Sequence, residues 1–193
     1  MVLGNNKMKE LRTRKNIRLK NYDYSQNGAY FVTICTYNRE PLLGRIVGAD
    51  DPVRPFAFEE SETGRIVSDC WNKINAFYEN IRTDKFVVMP NHIHGIIFID
   101  NMDVFIGNTD KKRRGLSDGE YRENTGGQSR PPLQKIIQGY KSVTTRMCFQ
   151  MGCQKIWQRS YYDHIIRNES EYQKIWEYIT ANPLNWKYDI YFV

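Results

Sequence analysis

His92 and His94, two of the three histidines in the chain, flank one isoleucine in the run from Phe86 to Ile99. In an extended strand, side chains at i and i+2 point to the same face. The two imidazoles would then stand side by side, within reach of one metal ion, with Ile93 turned into the core. Imidazole is the commonest metal-ligating side chain, and two of them leave coordination positions open for a substrate. Taken alone, an H-x-H pair is also what a solvated strand face can carry. The surrounding elements have to decide between these readings.

Those elements alternate strand and helix. Residues 29–37 are rich in β-branched and aromatic types and predict a buried strand. Residues 41–60, punctuated by Gly44, Gly48, Pro52 and Pro55, predict a loop with short extended pieces. From Thr63 to Asn80 the apolar residues Ile66, Val67, Cys70, Trp71, Ile74, Phe77 and Tyr78 recur at helical spacing. Lys85 to Met89 and His92 to Ile99 predict a hairpin turning at Pro90-Asn91, with the H-x-H pair at its near end. Leu133 to Phe149 is helical again. Ile156 to Ile166 predicts an aromatic strand, and Ser170 is the expected N-cap of a last helix reaching about Ala181 before Pro183. The aromatic stretch Trp186 to Val193 is expected to pack back on the body. The order β α β β α β α predicts an α+β, ferredoxin-like split βαβ fold: an antiparallel sheet with two helices on one face. The last helix is expected across or beside the open face, near the H-x-H strand. We divide the chain into a basic arm (1–20), a single domain (21–187) with a mobile insertion at 101–130, and a tail (188–193).

At 193 residues, 40% apolar and 26% charged, the chain has the composition of an ordinary globular protein. No apolar run approaches the roughly 20 residues a membrane span requires, and no signal-peptide core opens the sequence. Its four cysteines include no C-x-x-C pair, so they read as reduced thiols rather than a zinc site. Charge is unevenly spread. Residues 1–20 carry seven basic groups against Glu10, a net +6 that equals the formal charge of the whole chain. A second excess, +5, lies between Pro131 and Asn168, where six basic groups face Asp163 alone. Two basic segments in an otherwise balanced chain favour a polyanionic partner.

Met89-Pro90-Asn91-His92-Ile93-His94 after a strand resembles the M-P-N/D-H-x-H signature of HUH-type transposases with a single catalytic tyrosine. Three later blocks extend the resemblance: Leu133 to Ser142, Ile156-Trp157-Gln158-Arg159-Ser160-Tyr161-Tyr162-Asp163-His164, and Tyr178-Ile179-Thr180-Ala181-Asn182-Pro183. They are similar to the REP-associated tyrosine transposase branch, related to small insertion-sequence transposases, and the match runs in order from about residue 20 to 187.

The resemblance implies a metal-dependent nuclease and strand transferase acting on single-stranded, hairpin-forming DNA, in the bacterial cytoplasm and associated with the nucleoid. It puts Tyr178 in the place of the nucleophile, with His92, His94 and Asn182 holding Mg²⁺ or Mn²⁺. It also implies a 5′-phosphotyrosine intermediate. The spacing agrees, because i and i+4 share one helical face. Tyr172 and Trp176 are the aromatics expected to pack the same helix. Candidate DNA contacts are Arg12, Arg14, Lys15, Arg18 and Lys20 in the arm, Lys141, Arg146, Arg159 and Arg167 in the second basic segment, and Tyr162 as a base-stacking platform. For His164 a structural hydrogen bond is the leading reading. The branch points to a monomer, though relatives include domain-swapped dimers. The rivals are a domesticated or otherwise non-catalytic DNA- or RNA-binding protein of the same fold, and a hydrolase of small phosphoesters, which would need neither Tyr178 nor the basic excess.

Overall fold

The computed structural model describes residues 22–48, 57–78, 80–99, 132–153 and 155–192. The basic arm, with Arg12, Arg14, Lys15, Arg18 and Lys20, and the insertion at 101–130 lie outside the described residues.

Strand β1 (Gly28–Cys35) is followed by a short antiparallel ribbon of β2 (Gly44–Val47) and β3 (Ala57–Glu60). Next come helices α1 (Glu62–Asn72) and α2 (Ile74–Phe77), the hairpin β4 (Ile81–Met89) and β5 (His92–Ile99), helix α3 (Leu133–Phe149), strand β6 (Tyr162–Ile166) and helix α4 (Glu169–Ala181). The main sheet runs β4-β5-β1-β6, with every neighbouring pair antiparallel. Setting the ribbon and the short α2 aside, this is the strand order of the split βαβ fold that the element pattern predicts.

The period-2 alternation of β1 and β5 separates two cores. Tyr30, Val32, Ile34, Ile93, Ile97 and Ile99 face α1 and α3, where they bury Val67, Trp71, Leu133, Ile136, Ile137 and Tyr140. Ala29, Phe31, Ile96, Phe98 and Ile166 face the other way and are covered by α4 through Ile179, Ile175 and Tyr172. His92 and His94 continue this second row, in register with Cys35 and Thr33 of β1. The histidines therefore share the layer that α4 covers.

Four elements differ from the sequence expectation; one is β4, which begins at Ile81 rather than at Lys85. The helix expected over 63–80 breaks at Lys73 into α1 and α2. The aromatic strand begins at Tyr162 rather than Ile156. Residues 156–158 are instead stitched to the end of β1, by Tyr37 N–H to Ile156 O (2.8 Å), Gln158 N–H to Cys35 O (3.0 Å) and a bridge between Thr36 and Trp157. The Lys141 ammonium collects the next carbonyls, those of Gln158, Arg159 and Ser160, so the chain turns there instead of pairing. Lastly, Asn168 and not Ser170 caps α4. Its Oδ1 accepts from Glu171 N–H (2.9 Å) while the Glu171 carboxylate reaches back to Arg167 N–H (2.7 Å), a reciprocal cap that outcompetes a lone serine hydroxyl.

Candidate metal centre and nucleophile

His92 and His94 are fully buried, at 0% and 1% exposure, so the solvated-face reading of the pair does not hold. Their Nε2 atoms face one another at 3.0 Å. Each Nδ1 has its own partner: Asn91 Oδ1 at 2.9 Å from His92, and Thr33 Oγ1 at 2.8 Å from His94. Phe31 stacks on the His94 ring, with centroids 5.2 Å apart. Burial holds both imidazoles neutral, pushing His92 down to about 3, with the Arg39 guanidinium adding to the effect. His94 is pushed the same way by burial and then by His92. Two neutral imidazole nitrogens aimed at one point form a ligand pair, not a charged surface patch.

Further donors complete the cluster. Asp189 Oδ2 lies 3.9 Å from His92 Nε2, and the ligating atoms of His92, His94 and Asp189 all fall within 4.8 Å of one another. Asn182, the cap residue after α4, is 3% exposed. Its Nδ2 donates to Asp189 Oδ2 at 2.9 Å, while its Oδ1 is buried with no hydrogen-bond partner. An unsatisfied amide oxygen in a dry site costs free energy, so it calls for an occupant. Two imidazoles, a carboxylate and an orphaned amide oxygen are donors that a divalent ion such as Mn²⁺ accepts together. Two ligands held at about 2.1 Å and at right angles would stand about 3.0 Å apart, as the two Nε2 atoms do. The residues present fit a divalent cation.

Tyr178 sits one turn before Asn182 on α4 and brings its hydroxyl to 3.3 Å from His94 Nε2. Its ring meets Phe31 edge-on at 6.1 Å, yet the residue is 43% exposed, so the side chain lies between the site and solvent. Burial pushes its pKa up to about 12, helped by Asp189 and Tyr191, while a hydrogen bond with Asn182 pulls the other way. The other α4 aromatics are occupied elsewhere. Tyr172 donates to Asp84 Oδ2 at 2.5 Å and packs on Phe98, and the Trp176 ring lies under the Lys85 ammonium at 4.1 Å.

The remaining sequence candidates scatter. Lys141 points inward onto its three carbonyls, and burial lowers its pKa to about 8. Arg146 and Arg159 are exposed and, with Lys155, Phe149 and Trp157, line an open groove of about 540 Å³. The 156–158 segment bordering it is bonded to Cys35, the register partner of His92. Arg167 is exposed at the β6–α4 junction. Tyr162, 42% exposed, projects from β6 edge-on to Phe31, on the same face as Tyr178, whereas Tyr161 packs toward the other core. His164 takes the structural role: its Nε2 bonds Glu171 Oε1 at 2.7 Å and ties β6 to the cap of α4.

Sequence reasoning missed Asp189 and assigned no role to Asn91 or Tyr191. The Tyr191 ring packs 4.7 Å from His92, and the chain around it is held by Asn91 and Arg39. The available signal was slight: Asp189 is the one acid in an otherwise aromatic tail.

The fold has a counterpart among solved structures. A REP-associated tyrosine transposase, solved bound to a REP hairpin, matches it with a TM-score of 0.54 over 89% of this chain and 75% of that one. At 18% identity the likeness defines a shared fold. No protein-family profile matches the chain. An uncharacterized protein of Haemophilus influenzae is 35% identical over 188 residues, 93% of each chain, and this chain belongs to that protein's family.

Proposed function

We propose that the protein is a transposase-type nuclease and strand transferase that cleaves single-stranded, hairpin-forming DNA through Tyr178, with a divalent ion held by His92, His94, Asn182 and Asp189. One observation carries the reading: the Tyr178 hydroxyl lies 3.3 Å from a histidine pair about 84 residues away in sequence, in a chain with a transposase fold. Such a convergence of a nucleophile with metal-ligating nitrogens is what phosphodiester cleavage requires. Tyr172 spends its hydroxyl on Asp84, whereas Tyr178 brings its own beside the histidine pair, which is why only the latter would attack.

Mg²⁺ or Mn²⁺, when bound, would polarise the scissile phosphate and offset charge developing on its oxygens. The chain's own residues do the rest. Tyr178 enters as a phenol, releases its proton to solvent, and forms an O–P bond as the P–O3′ bond breaks. The departing oxygen takes up a proton as a free 3′-hydroxyl, and the 5′-phosphotyrosine conserves the bond energy for rejoining. Asn182 Nδ2 donates to Asp189 Oδ2, one helical turn after Tyr178, and so holds the carboxylate beside the nucleophile. Tyr162 offers a face for an unpaired base, while Arg146, Arg159, Arg167 and the basic arm supply phosphate contacts. Lys141 is left out, its donors being committed to the 158–160 turn. The functional unit extends past residue 187 to include Asp189.

The test is incubation with labelled single-stranded hairpin DNA and Mn²⁺. A denaturation-resistant protein–DNA adduct and a free 3′-hydroxyl are expected, both lost when the divalent ion is chelated. Absence of an adduct across varied hairpins would count against a nuclease and favour a DNA-binding protein of the same fold.

A further inference from the structure

We propose that Asn91 is a positioning residue that fixes the tautomer of His92 and so decides which of its ring nitrogens is free to bind. The inference rests on the metal-centre reading above for its consequence, but its geometry stands alone. Asn91 is fully buried at the two-residue turn between β4 and β5. Its Nδ2 donates to Tyr191 O at 2.7 Å and to Arg39 O at 3.2 Å. Both partners are carbonyls, which only accept, so the nitrogen end of the amide has to face them and the orientation is settled. The oxygen end is left pointing at His92 Nδ1, 2.9 Å away. An amide oxygen cannot donate, so the proton of a neutral His92 sits on Nδ1. Nε2 then carries the lone pair, aimed at His94 and Asp189.

The surroundings are built to hold this arrangement. Asn91 O accepts from both Thr36 N–H (2.8 Å) and Thr36 Oγ1 (3.0 Å), anchoring the turn to the end of β1. The Arg39 carbonyl is delivered by two successive non-glycine residues in the left-handed region, Asn38 (φ 52°) and Arg39 (φ 58°). A strained pair of this kind persists only where its surroundings over-determine it, and such strain clusters at functional sites. The Tyr191 carbonyl belongs to the C-terminal segment, which the Arg39 guanidinium also holds through Ile190 O (3.4 Å) and the Tyr191 ring (5.3 Å). Asn91 thus joins two separate stretches of chain, residues 36–39 and the C-terminal segment, to one imidazole nitrogen. Partners of this type that orient a ligating histidine typically change metal affinity 10- to 100-fold when removed.

Long-range ¹H–¹⁵N NMR of the metal-free protein reads the tautomer directly, without any activity. Wild type is expected to show His92 as a single Nδ1–H tautomer. Asn91→Leu, which removes the acceptor, is expected to mix the two tautomers and weaken Mn²⁺ binding by about 10- to 100-fold in a calorimetric titration. Asn91→Asp keeps an acceptor facing Nδ1 but gives up the two donors and adds a negative charge, so it should keep Nδ1 protonated, in the Nδ1–H tautomer or the imidazolium, which a merely structural role for the amide would not do. The proposal is overturned if wild-type His92 is an Nε2–H tautomer, if Asn91→Leu leaves a single Nδ1–H form, or, should the leucine variant not fold, if Nδ1 is unprotonated in Asn91→Asp. Failure of wild type to bind Mn²⁺ would instead refute the metal reading, leaving the tautomer result to decide this inference by itself.

Discussion

Tyr178→Phe is expected to lower hairpin cleavage by more than about 10³-fold and to abolish the covalent adduct, because the attacking oxygen itself is removed. The loss should fall on the chemical step. Phenylalanine keeps the edge-on contact with Phe31, and the residue is 43% exposed. Only the hydroxyl's contact with His94 disappears, at a stability cost of about 1 kcal/mol. Gel-resolved cleavage, thermal unfolding and DNA affinity measured on the same preparation check all three parts. An adduct that survives the substitution would move the nucleophile elsewhere. Tyr162 would then be the next exposed hydroxyl on that face.

Gly95→Ala should destabilise the protein by more than about 2 kcal/mol, a large effect for a single methyl group. Gly95 follows His94 and points to the opposite core. A Cβ there would sit 2.2 Å from Trp71 Cζ2 and 2.6 Å from Cη2. The indole cannot easily yield. It is 1% exposed, stacked on Phe86 with centroids 4.7 Å apart, and met edge-on by Tyr140 at 5.5 Å. Either Trp71 or strand β5 has to move, and β5 carries both histidines. Urea denaturation measures the cost. Trp71→Phe in the alanine background should recover part of it, since a smaller ring leaves room for the methyl. Equal stability of Gly95→Ala and wild type would show that the indole does not lie over this glycine.

Much of this architecture was legible in the sequence, for identifiable reasons. Helix α3 has the predicted bounds because Leu133, Ile136, Ile137 and Tyr140 alternate at helical spacing with no competing partner. The H-x-H strand was legible because β5 is apolar on one face and histidine-bearing at its start. Boundaries set by long-range hydrogen bonds were not. Nothing local says that Lys141 will gather the carbonyls of 158–160 and cut an aromatic strand short. The reciprocal cap of Asn168 and Glu171 hid behind a plausible serine. The glycine after the histidines was visible, but its reason, an indole 24 residues earlier, was not. Asp189 reaches the site only because the tail folds back through Asn91 and Arg39. A contact of that range leaves no periodicity to read.

His92, His94, Asn182 and Asp189 are expected to meet around one divalent ion beside Tyr178. Titration of the metal-free protein with Mn²⁺, followed by calorimetry and by paramagnetic broadening of assigned NMR signals, tests it most directly. One ion per chain is expected, with broadening centred on those four residues and on Tyr178. Binding should vanish in His94→Ala and weaken at least about tenfold, or about 1.4 kcal/mol, in Asp189→Ala. No saturable binding, or binding that His94→Ala leaves unchanged, would contradict the account.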